Sequence, residues 1–259
     1  MNKKPLITFD SVSMHFGGIK AVDDVSFSVH EGQIFGIIGP NGAGKTTIFN
    51  VISGVYVPTK GVVYAESVPL NNLPPHKIIG TTVGRTFQNI RLFNDQTVLD
   101  NLRIAQYCRI RYGLMDALFV TQRFKQEEAR IKSDAMEVLE FLGLADKALL
   151  KAGTLPYGEQ RRVEIARALV SKPKILLLDE PAAGMNSNEI GDLKEFISKI
   201  RSDFNLTVLL VEHQMKLVMN VCDEILVLNF GKKLLVGKPE EVKTNKQVLE
   251  AYLGKAKKR

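Results

Sequence analysis

From residue 5 to residue 38 apolar and polar positions alternate in short runs, with Gly17-Gly18 and Glu31-Gly32 as interruptions. That period of two, broken by turn residues, predicts strands joined by hairpins. From Lys45 to Ser53 the spacing becomes helical, and Gly54 follows where a helix stop is expected. The local order is therefore strand, glycine-rich loop, helix. Between about 89 and 165, Val98, Leu99, Leu102 and Ala105, and then Ile131, Ala135, Val138 and Leu142, recur at helical spacing and predict a helical insertion. Beyond it, strands at Ile175 to Asp179, Leu206 to Val211 and Glu224 to Leu228 alternate with helices at 188–202 and from Met215. Such alternation implies an α/β fold with a mainly parallel sheet covered by helices.

Composition bounds this picture. At 259 residues and 45% hydrophobic content, the chain can bury one large core or a core carrying an insertion. Its apolar runs, such as Ile175 to Leu178, stop at four residues, far short of the ~20 needed to span a bilayer. Met1-Asn2-Lys3-Lys4 leads into Pro5 and Asp10 rather than an apolar stretch, so no secretory signal is expected. Cys108 and Cys222 lack the spacing of a disulfide or zinc framework and read as thiols in a reducing compartment. A net charge of +7 favours acidic material such as nucleotide phosphates, nucleic acid or lipid headgroups. Part of that charge is the tail from Lys255 to Arg259, read as a solvated end.

Two motifs narrow the chemistry. Gly39-Pro40-Asn41-Gly42-Ala43-Gly44-Lys45-Thr46 satisfies G-x-x-x-x-G-K-[ST] between a strand and a helix. Its glycines let successive backbone N–H groups turn onto phosphates, and the helix that follows adds its positive end. Lys45 is suited to the β- and γ-phosphates and the Thr46 hydroxyl to Mg²⁺, with Thr47 next to it among the nucleotide contacts. Downstream, Ile175 to Leu178 carry Asp179 and Glu180 at a strand end. Asp179 is placed to hold the Mg²⁺ shell, and Glu180 to polarise an attacking water. An acidic pair alone often just opens a loop; the phosphate loop upstream gives this one its chemistry.

With these motifs in this order, the chain resembles the ATP-binding subunits of ABC transporters over nearly its whole length. The resemblance implies one ABC ATPase domain over 1–259: an N-terminal β region and the first part of the core at 5–88, a helical subdomain at 89–165, and the second part of the core at 166–259. It implies that Gln88 touches Mg²⁺ and water, that His213 contacts the γ-phosphate, and that adenine stacks on Phe16 beside Val22. Leu155-Pro156-Tyr157-Gly158-Glu159-Gln160 stands where the family commonly has Leu-Ser-Gly-Gly-Gln, so Tyr157, Gly158 and Glu159 take the place of nucleotide-contacting residues. A helix is expected to begin near Gly158, its N-terminal dipole still facing an anion. Pro156 replaces the serine hydroxyl, and Asn186 replaces the usual aspartate.

These departures resemble one branch, the LivG-type ATPases of branched-chain amino-acid importers, as do Phe16-Gly17-Gly18, Arg85-Thr86-Phe87-Gln88, Glu212-His213 and the terminal Ala251-Tyr252-Leu253-Gly254. The resemblance further implies a head-to-tail dimer with a second cassette, identical or a sister chain. It implies transmembrane permease subunits met by residues 89–125, including Arg91, Leu92, Phe93 and Val98, and indirectly a substrate-binding protein. The site would be the cytoplasmic face of the cell membrane, peripherally, with no nucleic acid as partner. Three other readings stay open on sequence alone: a soluble ABC ATPase acting on ribosomes or DNA, a non-catalytic nucleotide sensor, and the same motor with another cargo such as lipopolysaccharide. If the hydroxyl missing at Pro156 matters, Pro156→Ser should change ATPase rate and ATP affinity in the assembled transporter, and unchanged values of both would remove that role.

Overall fold

A computed structural model describes residues 4–79, 82–183, 185 and 187–253; Gly184, Asn186, Gly254 and the basic tail lie outside them. In chain order the elements are β1 (Pro5–Phe16), β2 (Ile19–His30), β3 (Ile34–Ile38), α1 (Lys45–Ile52), β4 (Lys60–Ala65), β5 (Val68–Pro69), α2 (Pro75–Ile78) and β6 (Val83–Arg85). There follow α3 (Val98–Ala105), α4 (Leu114–Leu118), α5 (Gln122–Phe141) and α6 (Tyr157–Leu169). The chain ends with β7 (Ile175–Asp179), α7 (Ser187–Asp203), β8 (Thr207–Val211), α8 (Met215–Val221), β9 (Glu224–Asn229), β10 (Lys232–Gly237), α9 (Pro239–Thr244) and α10 (Lys246–Leu253). They group into two compact units, Met1–Ile78 with Lys174–Arg259, and Ile79–Pro173.

In the first unit, β1 and β2 form the expected hairpin, turning at Gly17 with φ +57°, and extend through β4 and β5 as an antiparallel sheet. A second sheet runs in the order β10-β9-β3-β8-β7, in which β3 is parallel to β8 and β9, and β7 to β8. Every residue of β3, β7 and β8 is buried. This is why these strands read as continuous apolar runs rather than alternating ones. The rings of Phe9, Phe27 and Phe35 stack at centroid distances of 4.5 and 5.5 Å and tie the two sheets together. Each such pair is worth about 0.5–1.5 kcal/mol beyond its burial.

In the second unit, α3, α5 and α6 share one core. Val98, Leu99 and Leu102 of α3, Ile131, Ala135 and Val138 of α5, and Val163, Ala166 and Leu169 of α6 are all buried where these helices pack together. The helical period of this segment is therefore a packing face, and Thr97 caps α3 by accepting from the Asp100 N–H at 3.0 Å. The compact unit begins at Ile79, ahead of the first helical periodicity, because α6 grips the irregular stretch after β6 through hydrogen bonds to Phe87 and Arg91. Gly36, in the middle of β3, offers a stability test in the first unit. A Cβ there would lie 2.9 Å from Cys222 Sγ and 3.3 Å from Ile225 and Val218 side-chain atoms. Gly36→Ala should lower stability by about 1–3 kcal/mol in urea unfolding, as overpacking does, and adding Cys222→Ala should recover part of that loss.

Candidate functional site

The phosphate-loop segment leaves the carboxyl end of β3. Gly39 has φ +155° and its Cα faces the Leu228 carbonyl so closely that a Cβ would stand 2.3 Å from the oxygen. Gly44 (φ +102°) approaches the Ala21 carbonyl equally closely, with Val22 Cγ2 beside it. Only glycine fits both places. The loop is closed by Ala43 N–H donating to Pro40 O and Gly231 N–H donating to Ala43 O, each at 3.1 Å. Gly44 is also the N-cap of α1, which has neither a side-chain cap nor an acid in its first turn. The N–H groups around Lys45, Thr46 and Thr47 are thus open to an external anion.

Lys45 is almost fully buried, and its ammonium donates to Gly39 O at 2.8 Å and Pro40 O at 3.0 Å. Burial lowers its pKa, while the carboxylates of Glu180 and Asp179 act to raise it. A cation held under a glycine-rich loop with two acids nearby suits a polyphosphate. Asp179, the last residue of β7, is buried. Together with the Thr46 hydroxyl it offers the small set of hard oxygen donors with which Mg²⁺ usually complements phosphate oxygens and water.

Glu180 steps off the strand in the left-handed region, φ +47°, with its N–H on Val211 O at 2.9 Å. Its Oε1 lies 2.6 Å from His213 Nε2. Sequence order alone could not join residues 33 apart. The register does: Asp179 pairs with Val211 across β7 and β8, and Ile37 pairs with Val211 across β3 and β8. Lys45, Asp179, Glu180 and His213 therefore gather at the carboxyl edge of one sheet, where α/β folds place their ligands.

Glu212, which the sequence marks only as the neighbour of His213, has a structural role of its own. It is buried, and its carboxylate accepts from Ala182 N–H at 2.7 Å, His213 N–H at 2.9 Å and Gln214 N–H at 3.2 Å. Gln214 returns a bond to Ala182 O at 3.1 Å. Glu212 thus staples the loop after β7 to the loop after β8 and sets the spacing of Glu180 and His213. Its only sequence signal is its place before the histidine.

Phe16 ends β1 with its ring partly exposed and in edge contact with Tyr56, centroids 5.1 Å apart. Val22 is buried, with Cγ2 beside Gly44 of the loop. At the other side, the Tyr252 hydroxyl of α10 lies by the Gly39 backbone, and burial pushes its pKa up to about 12. A cavity of about 500 Å³ separates Pro40, Asn41 and Ala43 from Gln247, Glu250 and Ala251 of that helix.

Gln88, Tyr157, Gly158 and Glu159 belong to the second unit. The signature-like segment opens α6 with Pro156 as N-cap, one residue before the first helical turn, and no side chain caps that end. Tyr157 is exposed, the space above Gly158 is open, and Glu159 is held by Lys147. The same helix anchors the loop carrying Gln88. Arg161 and Glu164, both buried, pair at 2.7 Å. Arg161 donates to Phe87 O at 2.5 Å, and Glu164 accepts from Phe87 N–H at 3.2 Å. Burial raises the Glu164 pKa and the Arg161 charge opposes the rise. The guanidinium groups of Arg85 and Arg91 lie over the Phe87 ring, 5.0 and 4.3 Å from its centroid.

Residues 22–183 match a family described as ABC transporter, and residues 232–258 match one described as branched-chain amino acid ATP-binding cassette transporter. The chain is similar to the high-affinity branched-chain amino acid transport ATP-binding protein BraF of Pseudomonas aeruginosa, 46% identical over 98% of this chain and 99% of that one. It is 44% identical to the corresponding LivG protein of Escherichia coli, with the same coverage. Among solved structures it resembles an ATP-binding cassette of an ABC transporter in an ADP conformation, with 33% identity, a TM-score of 0.83, and coverage of 96% of this chain and 99% of that one.

If Glu212 is the staple, Glu212→Ala strands three backbone donors and should cost about 2–4 kcal/mol of stability. The amides of Ala182 and His213 should lose hydrogen-exchange protection. Glu212→Gln keeps one acceptor oxygen and should lose less than half as much, whereas wild-type exchange at both amides in the alanine variant would refute the role.

Proposed function

The chain belongs to the ABC transporter ATP-binding family, and from that premise we propose that it binds MgATP, hydrolyses it, and drives a branched-chain amino-acid importer. The observation that carries hydrolysis is the 2.6 Å contact between Glu180 and His213, next to the buried Lys45. A carboxylate fixed by an imidazole has the position and restraint required of a general base. The glycine loop from Gly39 to Gly44, the open N–H groups of α1 and the Lys45 ammonium would receive the β- and γ-phosphates, and Phe16 the adenine.

In the proposed reaction, water held by Glu180 attacks the γ-phosphorus. Its proton passes to the carboxylate, and the bond to the β–γ bridging oxygen breaks, giving ADP and phosphate. His213 orients the base through the shared hydrogen bond, and Glu212 fixes both loops. Mg²⁺ would neutralise charge across the β- and γ-phosphates, held by Thr46 and Asp179 with Gln88 as a further contact.

The branch reading is supported by the relatives' names and by the match of residues 232–258 to the branched-chain amino acid family. On this reading the chain works in a head-to-tail dimer of cassettes, so Tyr157, Gly158 and Glu159 act on the nucleotide of the facing subunit. Pro156 then removes a hydroxyl from that second site. Permease subunits and, through them, a substrate-binding protein complete the importer, and the chain sits peripherally at the cytoplasmic face of the cell membrane. Among the described residues no helix is long and apolar enough to cross a membrane.

Glu180→Gln separates binding from chemistry. It should retain ATP binding and trap nucleotide in the closed dimer, with phosphate release slowed about 10²-fold or more. Release at the wild-type rate would sink the general-base assignment.

A further inference from the structure

Residues 89–125 were expected to meet a membrane subunit, and the structure divides that stretch in two. Its first part is woven into the second unit: Val98 is buried, and Asn101 bonds both the N–H and the carbonyl of Phe93. The part around α4 is not. Helix α4 contributes no buried residue, yet Leu114, Met115, Leu118, Phe119 and Val120 are 84, 62, 67, 68 and 50% exposed. Five large apolar side chains in seven residues, all turned to solvent, carry a standing free-energy cost that a stable monomer does not need.

The surroundings of this tip identify what would cover it. The segment 107–125 contains four basic residues and a single acid, Asp116. Asp116 accepts from Gly113 N–H at 3.0 Å and Thr121 Oγ1–H at 2.9 Å and also feels the Arg123 charge, so the basic residues of the segment still outnumber it four to one. Arg109 donates to the Ser171 carbonyl, whereas Arg111, Arg123 and Lys125 are exposed on either side of the tip. Tyr107 is also exposed, and Tyr112 packs edge-on against Phe124 with its hydroxyl on Glu128 at 2.9 Å. An apolar tip flanked by cations and tyrosines matches the layering of a bilayer interface: acyl chains below, anionic headgroups at the rim. A protein groove would account for the apolar residues without the basic rim.

We propose that the α4 segment dips its tip, Leu114 to Val120, into the headgroup region of an anionic lipid surface, giving the subunit a direct membrane contact in addition to any protein one. This contact requires neither nucleotide nor permease, so its failure would leave the ATPase reading untouched.

The chain has no tryptophan, so Phe119→Trp in the full-length protein provides a single indole at the tip. With vesicles of phosphatidylcholine and phosphatidylglycerol, its emission should shift to the blue and be quenched by lipids brominated on the acyl chains. Binding should be at least about tenfold stronger than to phosphatidylcholine alone and should weaken with salt. Leu114→Ser with Leu118→Ser, in the same background, should lose most of the binding while keeping the wild-type thermal midpoint and ATP binding. A solvent-like indole at millimolar anionic lipid would overturn the proposal. So would a blue shift that appears only when permease subunits in detergent are added, since that outcome makes the tip a protein-docking surface.

Discussion

The register of three parallel strands governs the site. Because β3, β8 and β7 are aligned so that Ile37, Val211 and Asp179 lie level, the phosphate loop, the acidic pair and the histidine leave the sheet side by side. A slip of one residue would turn each strand's side chains to the opposite face. It would move Asp179 from the site and separate Glu180 from His213. Burial on both faces makes such a slip costly, so the hydrophobic layers and the chemistry are fixed together.

Much of this was readable from residue order. The glycine-rich loop has to follow a strand and precede a helix, and the apolar run from Ile175 to Leu178 has to end at Asp179 in any fold that buries it. Helix α6 begins at Tyr157, one residue from the expected start, because proline at 156 leaves little choice. Long-range polar pairs were hidden. The bonds from Glu212 to Ala182 and from Arg161 to Phe87 span 30 and 74 residues, and an acid or arginine in a helix or loop looks the same in sequence whether it is solvated or holds a backbone. The exposure of α4 was equally illegible, since periodicity marks an apolar face without saying whether anything packs on it.

Backbone strain and burial coincide at the sheet edge that carries the glycine-rich loop and the acidic pair. Glu180 occupies a left-handed conformation that most side chains avoid. Gly39 and Gly44 stand where a single methyl group would collide with a carbonyl. These positions are tolerated because the surrounding strands are so fully packed. The rigid layer below makes the tight turns above affordable.

The buried pair of Arg161 and Glu164 has a mechanical meaning. Both ends of the Phe87 peptide are clamped to the second turn of α6, so the loop bearing Gln88 and the helix that opens at Pro156 behave as one lever. The Phe87 peptide cannot leave α6 without stripping a buried arginine and a buried glutamate of their backbone partners. Position at one end therefore fixes position at the other, as two teeth of one comb are fixed by its spine.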